Sequence, residues 1–244
     1  MDASPTAQND EMGIANDVFQ GEQQQREANA TRFVLGVTGN IAVGKSMVVA
    51  MLAERGATVI DADRVYHELI APGTPLLRRI QERFGEEVVQ PDGSLDRRAL
   101  GAIVFSDAAA LAELDRITHP AVIAEVDRRV AAANGVVVID AVKLVESGHA
   151  ETCDAVWLVV AESNQQIARL MQGRGLDRAD AERRVAAQPP LGPKLSRADV
   201  IIDNSGTIAA TEAQVTEAWL LLPSEVRESA ALMTTTVSQL LEDA

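Results

Sequence analysis

A short loop near the start of the chain has the residue types and the spacing that bind the phosphates of a nucleotide. The stretch Gly-Asn-Ile-Ala-Val-Gly-Lys-Ser fits the pattern G-x-x-x-x-G-K-[ST], with an apolar run before it and a helical pattern after it. In such a loop, backbone N–H groups surround the phosphates, Lys45 bridges the β- and γ-phosphates, and the Ser46 hydroxyl ligates Mg²⁺. We therefore predict a site for ATP and Mg²⁺. The residues of this phosphate loop are Gly39, Asn40, Ile41, Ala42, Val43, Gly44, Lys45, Ser46 and Met47.

Two carboxylates, Asp61 and Asp63, follow the next apolar run of the chain. At the end of a strand beside a phosphate loop, a carboxylate can orient or deprotonate an attacking hydroxyl group. An aspartate in the same place can instead cap the helix that follows. The residues alone leave both interpretations open.

Five apolar runs can supply the strands that position these groups. They span residues 33–37, 57–60, 136–139, 155–160 and 200–202. Helical patterns separate most of them, and strands that alternate with helices form a parallel α/β sheet that binds ligands at the carboxyl ends of its strands. The catalytic groups should therefore follow the strands, which is where the acidic residues stand.

Composition narrows the class of partner and the compartment. The chain has 22 basic and 36 acidic residues, a net charge of −14, which argues against general affinity for nucleic acid or anionic membranes. Cys153 is the only cysteine, so neither an intrachain disulfide nor a thiolate metal site is expected. We recognise no signal peptide and no membrane-spanning run, and we expect a cytoplasmic enzyme.

Local composition also divides the chain. Residues 1–31 have few large apolar side chains and are predicted to be a disordered extension. Residues 62–134 read as a helical insertion, residues 173–197 as a mobile lid rich in Gly, Pro and Arg, and residues 223–244 as a tail with one amphipathic helix. The remaining core of a 32–222 domain would comprise residues 32–61, 135–172 and 198–222.

A series of short motifs accompanies the phosphate loop and the Asp-x-Asp pair. They are Val37-Thr38-Gly39, Gly56-Ala57, Val59-Ile60-Asp61-Ala62-Asp63, His67, Pro72-Gly73-Thr74-Pro75, Phe84-Gly85, Asp92-Gly93-Ser94-Leu95-Asp96-Arg97, Val104-Phe105, His119-Pro120, Ala187-Gln188 and Asp203-Asn204-Ser205-Gly206. In this order, from about residue 33 to 220, the chain resembles dephospho-CoA kinases. The resemblance implies an α/β, P-loop nucleotide-kinase-like three-layer fold with a five-stranded parallel sheet, a helical substrate domain and a lid. It also implies phosphorylation of the 3′-hydroxyl of dephospho-CoA by ATP, and we expect a monomer or a small homo-oligomer.

The resemblance further implies roles for single residues. Asp63 corresponds to the catalytic base, and Arg97 to an arginine of the substrate domain near the reaction centre. Arg174 falls in the lid, where the family brings an arginine onto ATP, and Asn204 is expected beside the nucleotide. Two structural alternatives stay open: Arg97 as a surface charge at a helix start, and Asn204 as a cap of a neighbouring element.

The chain also departs from the family pattern. Glycine is usual where Asn40 and Ala42 stand, and asparagine tolerates left-handed backbone geometry. Met47 replaces a threonine whose hydroxyl would touch the α-phosphate, so ATP affinity is affected more than the type of reaction. Lys143 replaces an aliphatic residue after the third strand, and we expect it to contact the phosphates of the substrate or nearby carboxylates. The alternative is a lysine whose stem packs while its ammonium reaches solvent.

Two other functions fit part of the pattern. Shikimate kinases also carry Asp-x-Asp after the second strand, so another small-molecule P-loop kinase is one alternative. A nucleotide-binding regulator without catalysis is the other. Two motifs, His119-Pro120 and Asp203-Asn204-Ser205-Gly206, favour a dephospho-CoA kinase over the first alternative. Intact Lys45, Ser46 and Asp63 argue against the second.

Overall fold

The computed structural model describes residues 32–228 and residue 230. The extension predicted for residues 1–31 lies outside this part of the chain, as does most of the tail predicted for residues 223–244. Within that tail, residues 224–228 are helical.

A five-stranded parallel sheet forms the centre of the molecule, in the spatial order β2-β3-β1-β4-β5. Its strands are β1 (Arg32–Gly39), β2 (Thr58–Asp61), β3 (Gly135–Asp140), β4 (Ala155–Val160) and β5 (Val200–Asp203). The middle strands β3, β1 and β4 are almost continuously buried and rich in Val, Leu and Ile, because a parallel sheet is covered by helices on both faces. The predicted five-stranded parallel sheet is confirmed.

Helices connect the strands and flank the sheet. They are α1 (Lys45–Glu54), α2 (Ala62–Leu69), α3 (Pro75–Phe84), α4 (Arg97–Val104), α5 (Ala108–Ala131), α6 (Ser163–Arg174), α7 (Arg178–Ala186), α8 (Gly192–Arg197) and α9 (Ile208–Leu220). Single 3₁₀ turns occur at Glu86–Val88 and His149–Thr152. Side chains that accept hydrogen bonds from the first backbone N–H groups begin α2 to α5, α7 and α9, so aspartate and threonine caps set where these helices start.

The core has one layer on each face of the sheet. Successive residues of a strand point to opposite faces, so Leu35 packs with α1 and α9 on one side while Val34 packs with α2 and α5 on the other. The helices α2 to α5 bury a further cluster among themselves that includes Ile80 and Phe84. The sheet therefore presents the ends of its strands between two helical layers.

Two segments lie outside the regular alternation of strands and helices: the predicted lid after α6 and the C-terminal end of the described residues. The helix α6 runs to Arg174, so the start of the predicted lid at residue 173 falls in the last turn of a helix, and its mobility stays a prediction. At the other end of the chain, Val226 and Ala230 are buried in the same core layer as Trp219. Gly135 begins β3 with a φ of 71°, and a Cβ there would lie 3.3 Å from the backbone nitrogen of Ala230.

Candidate active site

The phosphate loop joins the end of β1 to the N-terminus of α1. Gly44 precedes α1 in a left-handed conformation with a φ of 88°. A Cβ at Gly44 would come within 2.0 Å of the Asn204 amide nitrogen, so only glycine fits this position. Because the loop leads directly into α1, the first N–H groups and the positive end of the helix dipole of α1 lie next to it. A helix N-terminus of this kind favours an anion.

Ala42 is the one non-glycine residue with a positive φ in the described part of the chain, at 56°. Asn40, whose residue type tolerates a left-handed backbone, does not have a positive φ. The Arg169 guanidinium donates to the carbonyl of Ala42 (3.3 Å) and to that of Val43 (2.8 Å). These hydrogen bonds offset the cost of a left-handed alanine, which is of order 1–2 kcal/mol.

Asn204 and Gln188 support the same loop from the far end of the chain. The buried Asn204 amide donates to the Val43 carbonyl (2.8 Å), and the Asn204 side-chain oxygen accepts from the Thr211 hydroxyl (2.9 Å). The Gln188 side-chain oxygen accepts from the Ile41 N–H (3.1 Å). Asn204 thus lies behind the loop, as in the capping alternative, and its contact with nucleotide stays a prediction.

Lys45 forms an ion pair with Asp140, the last residue of β3. Burial raises the pKa of the Asp140 carboxyl, the Lys45 ammonium opposes that rise, and the negative charges of Asp61 and Asp63 add to it. Asp140 was not among the site residues predicted from the sequence. The available signal was an acidic residue directly after a buried apolar run, where strands of such sheets end.

The two carboxylates after β2 differ in what they do. Asp61 caps α2, because one of its oxygens accepts hydrogen bonds from the backbone N–H groups of Asp63 (2.9 Å) and Arg64 (3.1 Å). The capping interpretation is therefore confirmed for Asp61. Asp63, the second residue of α2, is exposed and lines a cavity.

This cavity, which we call the Asp63 cavity, has a volume of about 350 Å³. Apolar side chains form most of its wall, and a polar cluster stands in it. In the cluster, Asp115 contacts both His119 (Oδ1 to Nε2, 3.2 Å) and Lys143 (Oδ1 to Nζ, 3.4 Å). The apolar wall is made of Leu114, Val122, Ile123, Ala141 and Val142. Lys143 thus lies in the cavity beside Asp63, and its contact with substrate phosphates stays a prediction.

A smaller cleft adjoins the Asp63 cavity, since Tyr66 and Leu114 line both. Arg97, the first residue of α4, and Phe105, which is 85% exposed, stand in this cleft. Burial raises the pKa of the Tyr66 hydroxyl, and the charge of Arg97 opposes the rise. The structure therefore brings Arg97 close to Tyr66, whereas Arg174 is exposed at the end of α6 and its role on ATP stays a prediction.

Oxygen donors suited to Mg²⁺ stand on both sides of the phosphate loop. The Ser46 hydroxyl lies in the first turn of α1, and the Asp140 carboxylate lies beside Lys45. Mg²⁺ in phosphoryl-transfer sites is held by one or two protein oxygens together with substrate phosphates and water, so these two residues fit it. Over residues 32–228 and 230, three or more His, Cys, Asp or Glu side chains do not cluster as a metal site. Among the same residues, no helix is long and apolar enough to span a membrane.

Comparison with known proteins gives consistent matches. A family model described as dephospho-CoA kinase matches residues 33–210. The dephospho-CoA kinase of Symbiobacterium thermophilum is 50% identical over 190 residues, which cover 76% of this chain and 80% of that protein. The dephospho-CoA kinase of Leifsonia xyli is 46% identical over 191 residues, which cover 76% of this chain and 96% of that protein. A crystal structure from Thermus thermophilus superposes with a TM-score of 0.68 at 29% identity, covering 80% of this chain and all of that one.

Proposed function

Because the chain belongs to the dephospho-CoA kinase family, we propose that it transfers the γ-phosphoryl group of ATP to the 3′-hydroxyl of dephospho-CoA, giving coenzyme A and ADP. One observation carries this proposal beyond the similarity. The phosphate loop after β1 and the free carboxylate of Asp63 after β2 lie at the same edge of the sheet, with the Asp63 cavity beside them. A donor site at the loop and an acceptor site in the cavity would therefore adjoin.

The phosphate loop would bind the triphosphate of ATP. Its N–H groups and the α1 dipole favour the phosphates, and Lys45 would exchange its contact with Asp140 for the β- and γ-phosphate oxygens. Ser46 and Asp140 would hold Mg²⁺, which neutralises charge on those oxygens when bound. The loop is already held by Arg169 and Asn204, so little of it has to be ordered when ATP arrives.

Asp63 would accept the proton of the attacking hydroxyl. Asp61 is engaged as the cap of α2, so Asp63 is the carboxylate of the pair that faces the Asp63 cavity. A general base must come within hydrogen-bond reach of the hydroxyl, and a carboxylate at the cavity wall meets that need once substrate is bound. Asp63 would therefore orient the 3′-hydroxyl toward the γ-phosphate.

The Asp63 cavity and the adjoining cleft would hold dephospho-CoA. Their apolar walls suit the base and the uncharged arm of the substrate, while Lys143 and Arg97 offer positive charge for its pyrophosphate. Arg174 would approach ATP after movement of the lid. A cytoplasmic location and a monomeric or small homo-oligomeric state stay predictions.

A competition assay tests the proposal. The protein is given ATP and Mg²⁺ with dephospho-CoA, shikimate, AMP or pantothenate in parallel, and ADP release and phosphorylated product are both measured. We expect rapid turnover with dephospho-CoA alone, phosphorylation at the 3′ position, and loss of turnover when the metal is chelated. Faster turnover with shikimate would replace this proposal with another small-molecule kinase. ATP binding without turnover of any acceptor would indicate a regulator.

A further inference from the structure

Lys194, in the short helix α8, is almost fully buried, with 2% of its side chain exposed. Lysine is rarely buried to this degree unless its charge is paired and its donors are satisfied. The three N–H donors of an ammonium group have three acceptors here. They are the side-chain oxygen of Asn40 (3.2 Å), the carbonyl of Val142 (3.0 Å) and a carboxylate oxygen of Glu146 (3.2 Å).

These acceptors belong to two different parts of the site. Asn40 is in the phosphate loop, directly after β1, whereas Val142 lies after β3 and lines the Asp63 cavity. The Val142 carbonyl also accepts from the hydroxyl of Thr38 (3.0 Å), a buried residue of β1. One ammonium therefore connects the loop that would hold the phosphates with the wall of the cavity that would hold the acceptor.

We infer that Lys194 is a positioning residue that sets the phosphate loop and the Asp63 cavity at the separation required for transfer. This inference rests on the proposed function. Phosphoryl transfer depends on holding the reacting atoms about 3–3.5 Å apart and in line, and a displacement of about 1 Å can cost ~10²-fold in rate. A loss of alignment should also let water compete with the hydroxyl group for the γ-phosphate.

The first test is Lys194→Met, which keeps the stem of the side chain and removes the ammonium. Turnover with dephospho-CoA should fall about tenfold or more, and the ratio of coenzyme A formed to ADP released should drop below that of the unaltered protein. A residue that only stabilises the fold would lower the melting temperature but leave that ratio unchanged. The ratio is therefore measured well below the melting temperature of each variant.

Arg197 provides the matched control in the same helix. Its guanidinium donates to the carbonyl of Ala150 (2.7 Å), before the start of β4, at the opposite edge of the sheet from the phosphate loop. Arg197→Met therefore removes a cation and an anchor of α8 without touching Asn40 or Val142. Its product ratio should equal that of the unaltered protein, whatever its stability.

Asn40→Gly tests the connection from the other side and keeps the inference open to refutation if Lys194→Met folds poorly. Alone, Asn40→Gly should lower the ratio of coenzyme A formed to ADP released, but by less than Lys194→Met does, because two of the three acceptors of the Lys194 ammonium remain. Combined with Lys194→Met it should add nothing further. An unchanged ratio in both single variants, or fully independent effects in the double variant, would overturn the inference. Failure of the unaltered protein to phosphorylate dephospho-CoA would instead overturn the proposed function.

Discussion

The phosphate loop and the Asp63 cavity lie at the same edge of the sheet, but their side chains are held in different ways. The backbone of the loop is hydrogen-bonded to the side chains of Arg169, Asn204 and Gln188. Lys45, at the end of the loop, is paired with Asp140. Around the cavity, Asp63 and Lys143 are exposed, with 59% of the Lys143 side chain accessible, whereas the neighbouring Asp115 and His119 are half-buried. Under the proposed function, the donor half is thus assembled in advance, while Asp63 and Lys143 of the acceptor half are left accessible.

This difference suits the two proposed tasks, which are stabilisation of the transferred phosphoryl group by the loop and binding of the acceptor by the cavity. Charge stabilisation works best when dipoles and cations are fixed before the reaction, because nothing then has to reorganise as charge develops. Recognition of a large acceptor instead needs a surface that the substrate can enter and that buries it on binding. Changes near the loop should therefore act on turnover, and changes in the cavity on the affinity for the acceptor.

The largest effect is expected at Lys45. Lys45→Ala should lower turnover by ~10²- to 10³-fold, because the ammonium meets charge that grows on the phosphate oxygens during transfer. Steady-state kinetics with ATP and dephospho-CoA measure this effect. Turnover close to that of the unaltered protein would show that the loop does not bind the phosphates in the way described.

Asp63 should give the next largest effect, and it marks the boundary between the two halves. Asp63→Asn should lower turnover by about 10²-fold and leave the KM values nearly unchanged, because the amide keeps the shape but cannot accept the proton. Asp61→Asn is the control, since asparagine also caps helices well. A larger loss at Asp61 than at Asp63 would reverse the assignment of the base.

A smaller and more selective effect is expected at Lys143. Lys143→Met should raise the KM for dephospho-CoA up to about fivefold, the range of one partly exposed ion pair, and leave the KM for ATP unchanged. Lys143→Arg keeps the charge and should stay near the original value. If the KM for dephospho-CoA does not move in Lys143→Met, the lysine serves only to pair with Asp115.

The smallest effect concerns the strain in the phosphate loop. Ala42→Gly should raise the free energy of unfolding by up to ~1 kcal/mol, because glycine adopts a left-handed φ without the Cβ clash. Ala50→Gly, on the exposed face of α1, should lower it by a similar amount. Denaturant unfolding measures both. A loss of stability in Ala42→Gly would mean that the backbone at residue 42 is not left-handed.

Local patterns predicted the parallel sheet and the position of the glycine-containing turn between β1 and α1, because both depend on residues that are consecutive in the chain. The contacts that hold the loop were not predictable in this way. Asn204, which donates to the Val43 carbonyl, is 161 positions away from it in the chain. From the sequence, an asparagine that supports a loop has no feature that distinguishes it from one that binds a ligand. Asp140 was missed because an acidic residue at a strand end has no periodicity of its own, and its pairing with Lys45 depends on the order of the strands.

The close contact between Gly135 and Ala230 has a consequence for where the folding unit ends. The match to the family model ends at residue 210, in the first turn of α9, yet the core continues through Trp219 and Val226 to Ala230. A chain shortened to the family boundary would expose the face of the sheet that those residues cover and would leave Gly135 without its neighbour. The hydrophobic core therefore extends about twenty residues past the end of the family-model match.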